Sequence, residues 1–220
     1  MNLTADVLCS GIIVVDHVAA PIDVLPAAGQ LVLTDDCLVT IGGCASNVAV
    51  DLCKMGVSTA VNGCVGDDLF GRFAREFLAQ QGADASHVVV VPDAPTSQTL
   101  IVNVKGQDRR FIHLAGANKV FRAEHLARPA IARAKVFYFG GYLLTPALTP
   151  DALAEAFREA RTHGAATVLD VVTPGPADYF KLLQPVLPHT DVFLPNTDEA
   201  ALITGLKDPV RQAEIGRAHV

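Results

Sequence analysis

The chain alternates between continuous apolar runs and stretches whose apolar residues recur with helical spacing. The runs lie at residues 7–15, 59–65, 135–139, 167–171 and 192–194, and they are typical of strands buried on both faces. The intervening stretches at residues 45–55, 69–81, 150–162, 179–187 and 197–204 predict helices. This alternation predicts an α/β fold with a doubly wound, mostly parallel sheet and helices on both faces.

Two further regions, residues 30–40 and 97–113, alternate apolar and polar positions one by one. The second region contains Lys105-Gly106-Gln107-Asp108, which is suited to a hairpin turn. We interpret both regions as a small antiparallel sheet that projects from the main one. Because no linker interrupts the pattern, residues 1–210 are expected to form one α/β domain that carries this small sheet.

The composition narrows the classes of function. The 220 residues carry a net charge of −6 with 17 Lys and Arg and no basic run, so a nucleic-acid partner is not expected. The apolar run at residues 7–15 follows Asp6 and is too short for a membrane span, so neither a membrane anchor nor a signal peptide is expected. Five cysteines without a C-x-x-C pair argue against disulfides or zinc and favour the cytoplasm.

The most informative chemistry lies at Gly42, Gly43 and Asn47, where an apolar strand gives way to a helix. Paired glycines let a ligand approach the main chain closely, and the amide groups of a helix start can point at ligand oxygens. Asn47, one turn into the helix, offers both a donor and an acceptor to hydroxyls. The pattern therefore fits a polar, hydroxyl-rich small molecule.

Asp16 follows the first apolar run, and ligands of open α/β sheets bind at the carboxyl ends of the strands. A carboxylate there can accept hydrogen bonds from two vicinal hydroxyls, whereas an Asp after a strand is also commonly a surface or capping residue. We expect Asp16, Gly42, Gly43 and Asn47 to converge at one edge of the main sheet, beneath the small one.

These residues belong to an ordered set of motifs that also includes Gly66-Asp67-Asp68 with Gly71, then Gly116-Ala117-Asn118, then Asn196-Thr197-Asp198-Glu199. From about residue 3 to about residue 206, the set resembles the signature of the ribokinase-like (PfkB) carbohydrate kinases. The resemblance implies ATP- and Mg²⁺-dependent transfer of phosphate to a hydroxyl of a sugar or sugar-like substrate. It also implies that the small sheet is a lid over the sugar and the surface of a homodimer in the full-length protein.

The resemblance assigns roles to individual residues. It implies that the substrate is bound by Asp16, Gly42, Gly43, Asn47 and Asn118. It places Asp170, Asn196 and Glu199 in the phosphate and metal region, with Glu199 holding Mg²⁺ through water because Mg²⁺ gives up its water reluctantly. The same spacing of Asn196 and Glu199 also satisfies a capping box at a helix start, which is the simpler interpretation of the residues alone.

Asp67 and Asp68 have the appearance of paired catalytic carboxylates, but we interpret them as a helix start. In that interpretation Asp67 is the N-cap and Asp68 lies in the first turn, where the helix dipole favours a negative charge.

The substrate is left open. Ribose kinases of this fold carry an Asn where this chain has Val14, and a Glu near the strand end where it has Gly140-Gly141-Tyr142. Both departures argue against ribose itself and leave fructose, a keto-deoxy sugar acid, a phosphosugar or a nucleoside.

Chains of the resembled family continue to a segment like D-T-x-G-A-G-D, whose last Asp would be the general base, and these 220 residues contain no such segment. We therefore expect the chain to be an N-terminal fragment without a catalytic residue, inactive by itself. Read as the codons GAG-ATC-GGA-AGA-GCA-CAC-GTC, residues 214–220 match a widely used sequencing adapter. Residues 211–220 are accordingly expected to be a non-native tail, and we expect Pro209 to interrupt any helix there.

Two alternatives are left open, and a third is disfavoured by the residues themselves. A non-catalytic, sugar-binding pseudokinase would lack the base naturally, whereas a nucleoside kinase of the same fold would differ only in its substrate. A Rossmann-type cofactor domain requires G-x-G-x-x-G after the first strand, and residues 9–14 lack that motif.

Overall fold

A computed structural model describes residues 5–175 and 177–219, with side chains as far as Glu214. Residues 1–4, Pro176 and Val220, which the predicted domain and tail include, lie outside the described residues. In chain order the strands are β1 (Val7–Gly11), β2 (Val14–Ala19), β3 (Cys37–Gly42), β4 (Thr59–Gly66), β5 (Asp84–Val91), β6 (Gln98–Val102), β7 (Arg110–Leu114), β8 (Val136–Gly140), β9 (Ala166–Leu169) and β10 (Val192–Phe193). The α-helices are α1 (Cys44–Lys54), α2 (Leu69–Gln80), α3 (Arg128–Ile131), α4 (Pro150–Thr162), α5 (Tyr179–Leu183), α6 (Thr197–Thr204) and α7 (Pro209–His219).

The main sheet has six strands in the order β10-β9-β8-β1-β4-β5, and every pairing in it is parallel. This confirms the predicted doubly wound sheet. The sequence analysis missed β5, which forms one edge of the sheet. Its first half, which includes Asp84 and His87, is polar and partly exposed, so the strand does not form a continuous apolar run.

Helices cover both faces of this sheet, as predicted. On one face, Leu8 and Phe137 pack with α4, where Phe157 lies edge-on to Phe137 at 5.2 Å between ring centroids. On the other face, Cys9 and Tyr138 pack with buried residues of α1 and α2. Successive side chains of a strand point to opposite faces, so one strand serves both cores. The two cores hold the carboxyl ends of the central strands in place.

The apolar run at residues 7–15 is two strands in the structure. The chain leaves the main sheet after Gly11 and enters the small sheet at Val14. Asp16 therefore lies within β2 in the small sheet, and its predicted place at the end of the first main-sheet strand is corrected. Hydrophobicity alone hides this break because Ile12 and Ile13 are as apolar and as buried as the strand before them.

The small sheet has four strands in the order β3-β2-β6-β7. The hairpin predicted within residues 97–113 is present as the antiparallel pair β6–β7, and β2 pairs with β3 antiparallel. The β2–β6 pairing is parallel, so the sheet is mixed and the predicted wholly antiparallel arrangement is corrected. Of residues 30–40, only those from Cys37 onward belong to a strand.

The predicted helix break at Pro209 is wrong, because α7 begins at that residue. Proline suits the first position of a helix, where its missing N–H would have no partner in the helix. Asp208 Oδ1 accepts a hydrogen bond from the Arg211 main chain at 2.9 Å, which caps the start. Gln212 is buried and donates to the carbonyl of Leu206 at 2.7 Å, so the first part of the predicted tail packs against the domain.

Among the described residues, no helix has the length and apolar character needed to cross a bilayer.

Candidate substrate site

Asp16 and Gly42 meet where the small sheet joins the main one. A Cβ built on Gly42 would lie 2.1 Å from Oδ2 of Asp16, so the carboxylate rests directly on the glycine main chain. Gly43 has φ of +89°, and a Cβ there would lie 2.5 Å from the carbonyl oxygen of Ile12. Neither position accepts a larger residue without movement, which accounts for the glycine pair. The predicted convergence of Asp16 with Gly42 is thus present.

The helix α1 begins directly after this glycine pair. Among the described residues no side chain caps its N-terminal end, so the amide groups of its first turn have no partner within the helix. Ala45 and Ser46 are fully buried, whereas Cys44 is partly exposed, so Cys44 is the residue of this turn that a ligand can reach. The hydroxyl of Ser46 turns back to donate to the carbonyl of Gly42. Asn47 is exposed one turn into the helix, where its main-chain N–H donates to Gly43 at 2.9 Å.

The Asp16 carboxyl is half-buried, and burial raises its pKa above the ordinary value. A hydrogen bond from Thr99 and the nearby rings of His113 and His17 act in the opposite direction. The carboxylate is therefore partly desolvated but keeps polar neighbours, a setting in which hydrogen bonds to ligand hydroxyls gain strength.

The side chain of Asn118 bonds to the main chain of Ile13, just before the strand that carries Asp16. It is 1% exposed; its amide oxygen accepts from the N–H of Ile13 at 3.2 Å, and its amide nitrogen donates to the carbonyl of Ile13 at 3.0 Å. These two bonds hold the crossover between β1 and β2 that places Asp16. The observed bonds are structural, and direct contact of Asn118 with substrate stays a prediction.

A second polar cluster lies at the carboxyl ends of β8 and β9, beside the start of α1. The hydroxyl of Tyr138 donates to Oδ2 of Asp170 at 2.7 Å. The pKa of Tyr138 is raised, mainly by burial and next by this hydrogen bond. The pKa of the Cys44 thiol is also raised, mainly by burial and next by the charge of Asp170. A Cβ on Gly140 would lie 2.8 Å from that of Cys44, so the helix start packs onto the end of β8.

Asn196 and Glu199 form the capping box of α6 that their spacing allows. Asn196 Oδ1 accepts from the Glu199 N–H, and Glu199 Oε2 accepts from the Asn196 N–H, both at 2.9 Å. Burial raises the pKa of Glu199, and the neighbouring charge of Asp170 raises it further, against main-chain hydrogen bonds from Asn196 and Thr173. The two carboxylates are therefore electrostatic neighbours.

This pair of carboxylates suits a hard cation. Oxygen ligands are those that Mg²⁺ prefers, and a cation would relieve the repulsion between Asp170 and Glu199. Within the part of the chain whose side chains are described, no group of three or more His, Cys, Asp or Glu is arranged to hold a metal ion. A cation held by Asp170 and Glu199 would therefore complete its coordination with water and phosphate oxygens.

Asp68, not Asp67, caps α2, which corrects the assignment within the predicted helix start. Asp68 accepts from the Gly71 N–H at 2.8 Å and from the Thr96 N–H and hydroxyl at 2.7 and 2.6 Å. Burial acts to raise its pKa, but these hydrogen bonds outweigh burial and leave the pKa below its usual value. Asp68 thereby ties the start of α2 to the segment that leads into β6.

The sequence analysis missed Thr99, His113 and Tyr138 as partners of the candidate site. Thr99 and His113 lie in strands with the alternating pattern, and the strand register that brings them beside Asp16 could not be inferred from that pattern. Tyr138 is the one polar position within an apolar strand, which is a signal that could have been used.

Comparison of this chain with known proteins agrees with this architecture. Residues 4–219 match the model of the pfkB family carbohydrate kinases. The chain is 27% identical to a ribokinase of Haemophilus influenzae over 222 residues, spanning 100% of this chain and 68% of that protein. It is 32% identical to an aminoimidazole riboside kinase of Salmonella typhimurium over 133 residues, 59% of this chain and 41% of that protein.

Among solved structures, the ribokinase of Arabidopsis thaliana complexed with ribose and ATP is similar, with a TM-score of 0.77 at 19% identity. The similarity covers 98% of this chain and 68% of that one. This chain thus spans about two thirds or less of the relatives named here. The fold and the match over nearly all residues identify an α/β sugar-kinase architecture, and the chain belongs to the pfkB family of carbohydrate kinases.

Proposed function

We propose that this chain is the substrate-binding part of an ATP-dependent kinase that phosphorylates a hydroxyl of a sugar or sugar-like molecule. The observation that carries the proposal is the contact between the Asp16 carboxylate and Gly42, beside the uncapped start of α1. An acceptor carboxylate and the start of a helix lie close together in the chain fold there, and vicinal hydroxyls require both acceptors and donors.

Each group has a defined part in this proposal. Asp16 accepts hydrogen bonds from substrate hydroxyls, and the amide group of Cys44, the partly exposed first residue of α1, donates to a substrate oxygen. Asn47 adds a donor and an acceptor from the exposed face of the helix. Gly42 and Gly43 admit the substrate to the main chain, and Asn118 fixes the crossover that carries Asp16.

ATP with Mg²⁺ would supply the phosphoryl group, and Asp170 with Glu199 would hold the cation, Glu199 through water. Catalysis of this kind depends on placing charge and on a base for the attacking hydroxyl. None of the residues assigned above is positioned as such a base, and the 220 residues contain no segment like D-T-x-G-A-G-D. We propose that this chain binds substrate without turning it over, and that Asp170, Asn196 and Glu199 act only once the phosphate site is complete.

A nucleoside is the second candidate substrate. The 32% identity to a riboside kinase favours it, because a ribosyl group presents the same vicinal hydroxyls whether or not a base is attached. A pseudokinase that binds sugar without catalysis stays the alternative for the whole protein.

Two further features belong to the proposal. The face of the small sheet opposite Asp16 exposes the apolar side chains of Val39, Leu100 and Ile112, which supports a homodimer formed through this sheet. The cysteines of the described residues are free thiols, which supports a cytoplasmic location.

Calorimetric titration of the 220-residue chain with pentoses, hexoses, sugar acids and nucleosides tests the proposal. We expect at least one of them to bind, and Asp16→Ala to weaken that binding about tenfold or more, because the variant removes a charged acceptor. Asp35→Ala, which removes an exposed carboxylate from the loop before β3, is the matched control and should bind normally. An unchanged affinity in Asp16→Ala would refute the proposed site.

An activity assay tests the second half of the proposal. With Mg²⁺ and ATP, the chain should give no phosphorylated product from the ligand that binds. Turnover at an ordinary kinase rate would show that the base lies within these residues.

A further inference from the structure

A row of four polar side chains crosses the small sheet at the level of Asp16. Thr40 on β3 is paired with Asp16 on β2, Asp16 with Thr99 on β6, and Thr99 with His113 on β7. Residues directly opposite one another in a sheet project from the same face, so the row lies on the face that carries the Asp16 carboxylate. Thr99 is buried, whereas His113 lies on the exposed edge strand.

A hydrogen bond connects two members of this row, and a third lies directly opposite one of them. Thr99 Oγ1 lies 3.0 Å from Nδ1 of His113, and Thr99 is paired with Asp16 across β6 and β2, where a hydrogen bond from its hydroxyl acts to lower the pKa of the Asp16 carboxyl. An ionised carboxylate can only accept, so a bond between the two requires that the single hydroxyl proton of Thr99 is directed at Asp16. In that arrangement Nδ1 of His113 carries the proton and donates to Thr99, and the bonds run in one direction, from His113 to Thr99 to Asp16.

We propose that Thr99 and His113 are positioning residues that orient the Asp16 carboxylate for substrate hydroxyls, a role that rests on the proposed function of Asp16. The edge strand β7 thereby takes part in recognition without touching the carboxylate. Its imidazole fixes the direction of the Thr99 hydroxyl, and that hydroxyl occupies one acceptor position of Asp16 and leaves the others to the substrate.

The charges around the row give the proposal a pH dependence. The charges of His113, along the row, and of His17, the next residue of β2, act on Asp16, and those of Asp16 and Lys119 act on His113. Burial raises the pKa of Asp16, so the carboxylate loses its charge, and its affinity for hydroxyls, as the pH falls through that raised value. Removing the Thr99 hydrogen bond or the His113 charge takes away an influence that lowers this pKa, so the loss should move to higher pH.

Carbon-13 NMR of the Asp16 carboxyl in the 220-residue chain measures this directly. Thr99→Val should raise the pKa of Asp16, and His113→Gln should raise it by less, in keeping with the order of the two influences. Thr99→Ser keeps the hydroxyl and should restore the wild-type titration. Thr40→Val is the matched control, since it makes the same change on the other side of Asp16, and it should leave the pKa where it was.

Titrations of the sugar or nucleoside panel at several pH values complete the test. For a ligand that binds, the pH below which its affinity falls should be higher in Thr99→Val and in His113→Gln than in the wild-type chain. In Thr99→Ser that pH should have the wild-type value again. An unchanged pKa of Asp16 in Thr99→Val, or an equal shift in Thr40→Val, would overturn the positioning role. If the pKa shifts occur as described but no panel member binds to the wild-type chain at any pH, the proposed function fails instead.

Discussion

The two sheets of this molecule differ in what surrounds them. The six-stranded sheet is parallel and covered by helices on both faces, with Phe137 and Phe157 fully buried in one of its cores. The four-stranded sheet is mixed, and its edge strand β7 is exposed along its whole length. The first sheet provides a fixed frame, whereas the second carries Asp16 and its partners. The proposed recognition of substrate is thus located on the less buried of the two sheets.

The largest expected difference between the sheets concerns stability. Phe157→Ala should lower the free energy of unfolding by about 3–5 kcal/mol, because it opens a cavity in a core packed on both sides. Phe111→Ala in β7 is the matched control: that ring is 57% exposed, and its loss should cost less than about 1 kcal/mol. Urea unfolding monitored by circular dichroism measures both. Equal losses would mean that the small sheet is as tightly packed as the main one.

The difference in burial between the two sheets also explains which elements the sequence predicted and which it did not. Continuous apolar runs are produced by burial on both faces, so most main-sheet strands and the helices α4 and α6 were predicted at or near their observed bounds. The break between β1 and β2 was not predicted, because it depends on a side chain 105 positions away: Asn118, which bonds to both main-chain groups of Ile13.

The candidate site likewise contains residues that the sequence predicted and residues that it did not. The glycine pair and the approximate position of Asp16 follow from local pattern, and Asp68 could be interpreted as part of a helix start. The neighbours of Asp16 could not be foreseen, because Thr99 and His113 reach it only through the register of three strands. Alternation predicts a strand and its faces, but it does not say which residue of the next strand lies opposite.

A smaller effect should come from the junction between the sheets. Asn118→Ala should lower the free energy of unfolding by about 2 kcal/mol, since it leaves two buried main-chain groups of Ile13 without partners. Asn47→Ala, at an exposed position, should leave stability within about 0.5 kcal/mol while weakening ligand binding. Thermal unfolding and calorimetric titration separate the two outcomes. If Asn118→Ala weakened binding with unchanged stability, Asn118 would be a substrate contact after all.

A smaller change in stability than that of Asn118→Ala is expected at Gly42. Gly42→Ala should cost about 1 kcal/mol, the low end for overpacking, because the Asp16 carboxylate can swing away from the new methyl group. That movement should nevertheless reduce ligand affinity about as much as Asp16→Ala does. The double variant should be no weaker in binding than either single one, and additive losses would show that the two residues act separately.

The central claim is that the Asp16 carboxylate accepts hydrogen bonds from substrate hydroxyls. A binding cycle tests it most directly: the best ligand and its deoxy analogues are titrated into the wild-type chain and into Asp16→Ala. In the wild-type chain, removal of the hydroxyl that meets Asp16 should weaken binding about tenfold or more, the expected loss for a hydrogen bond to a charged group. In Asp16→Ala the same removal should make no difference. An equal loss in both chains for every hydroxyl would contradict the account.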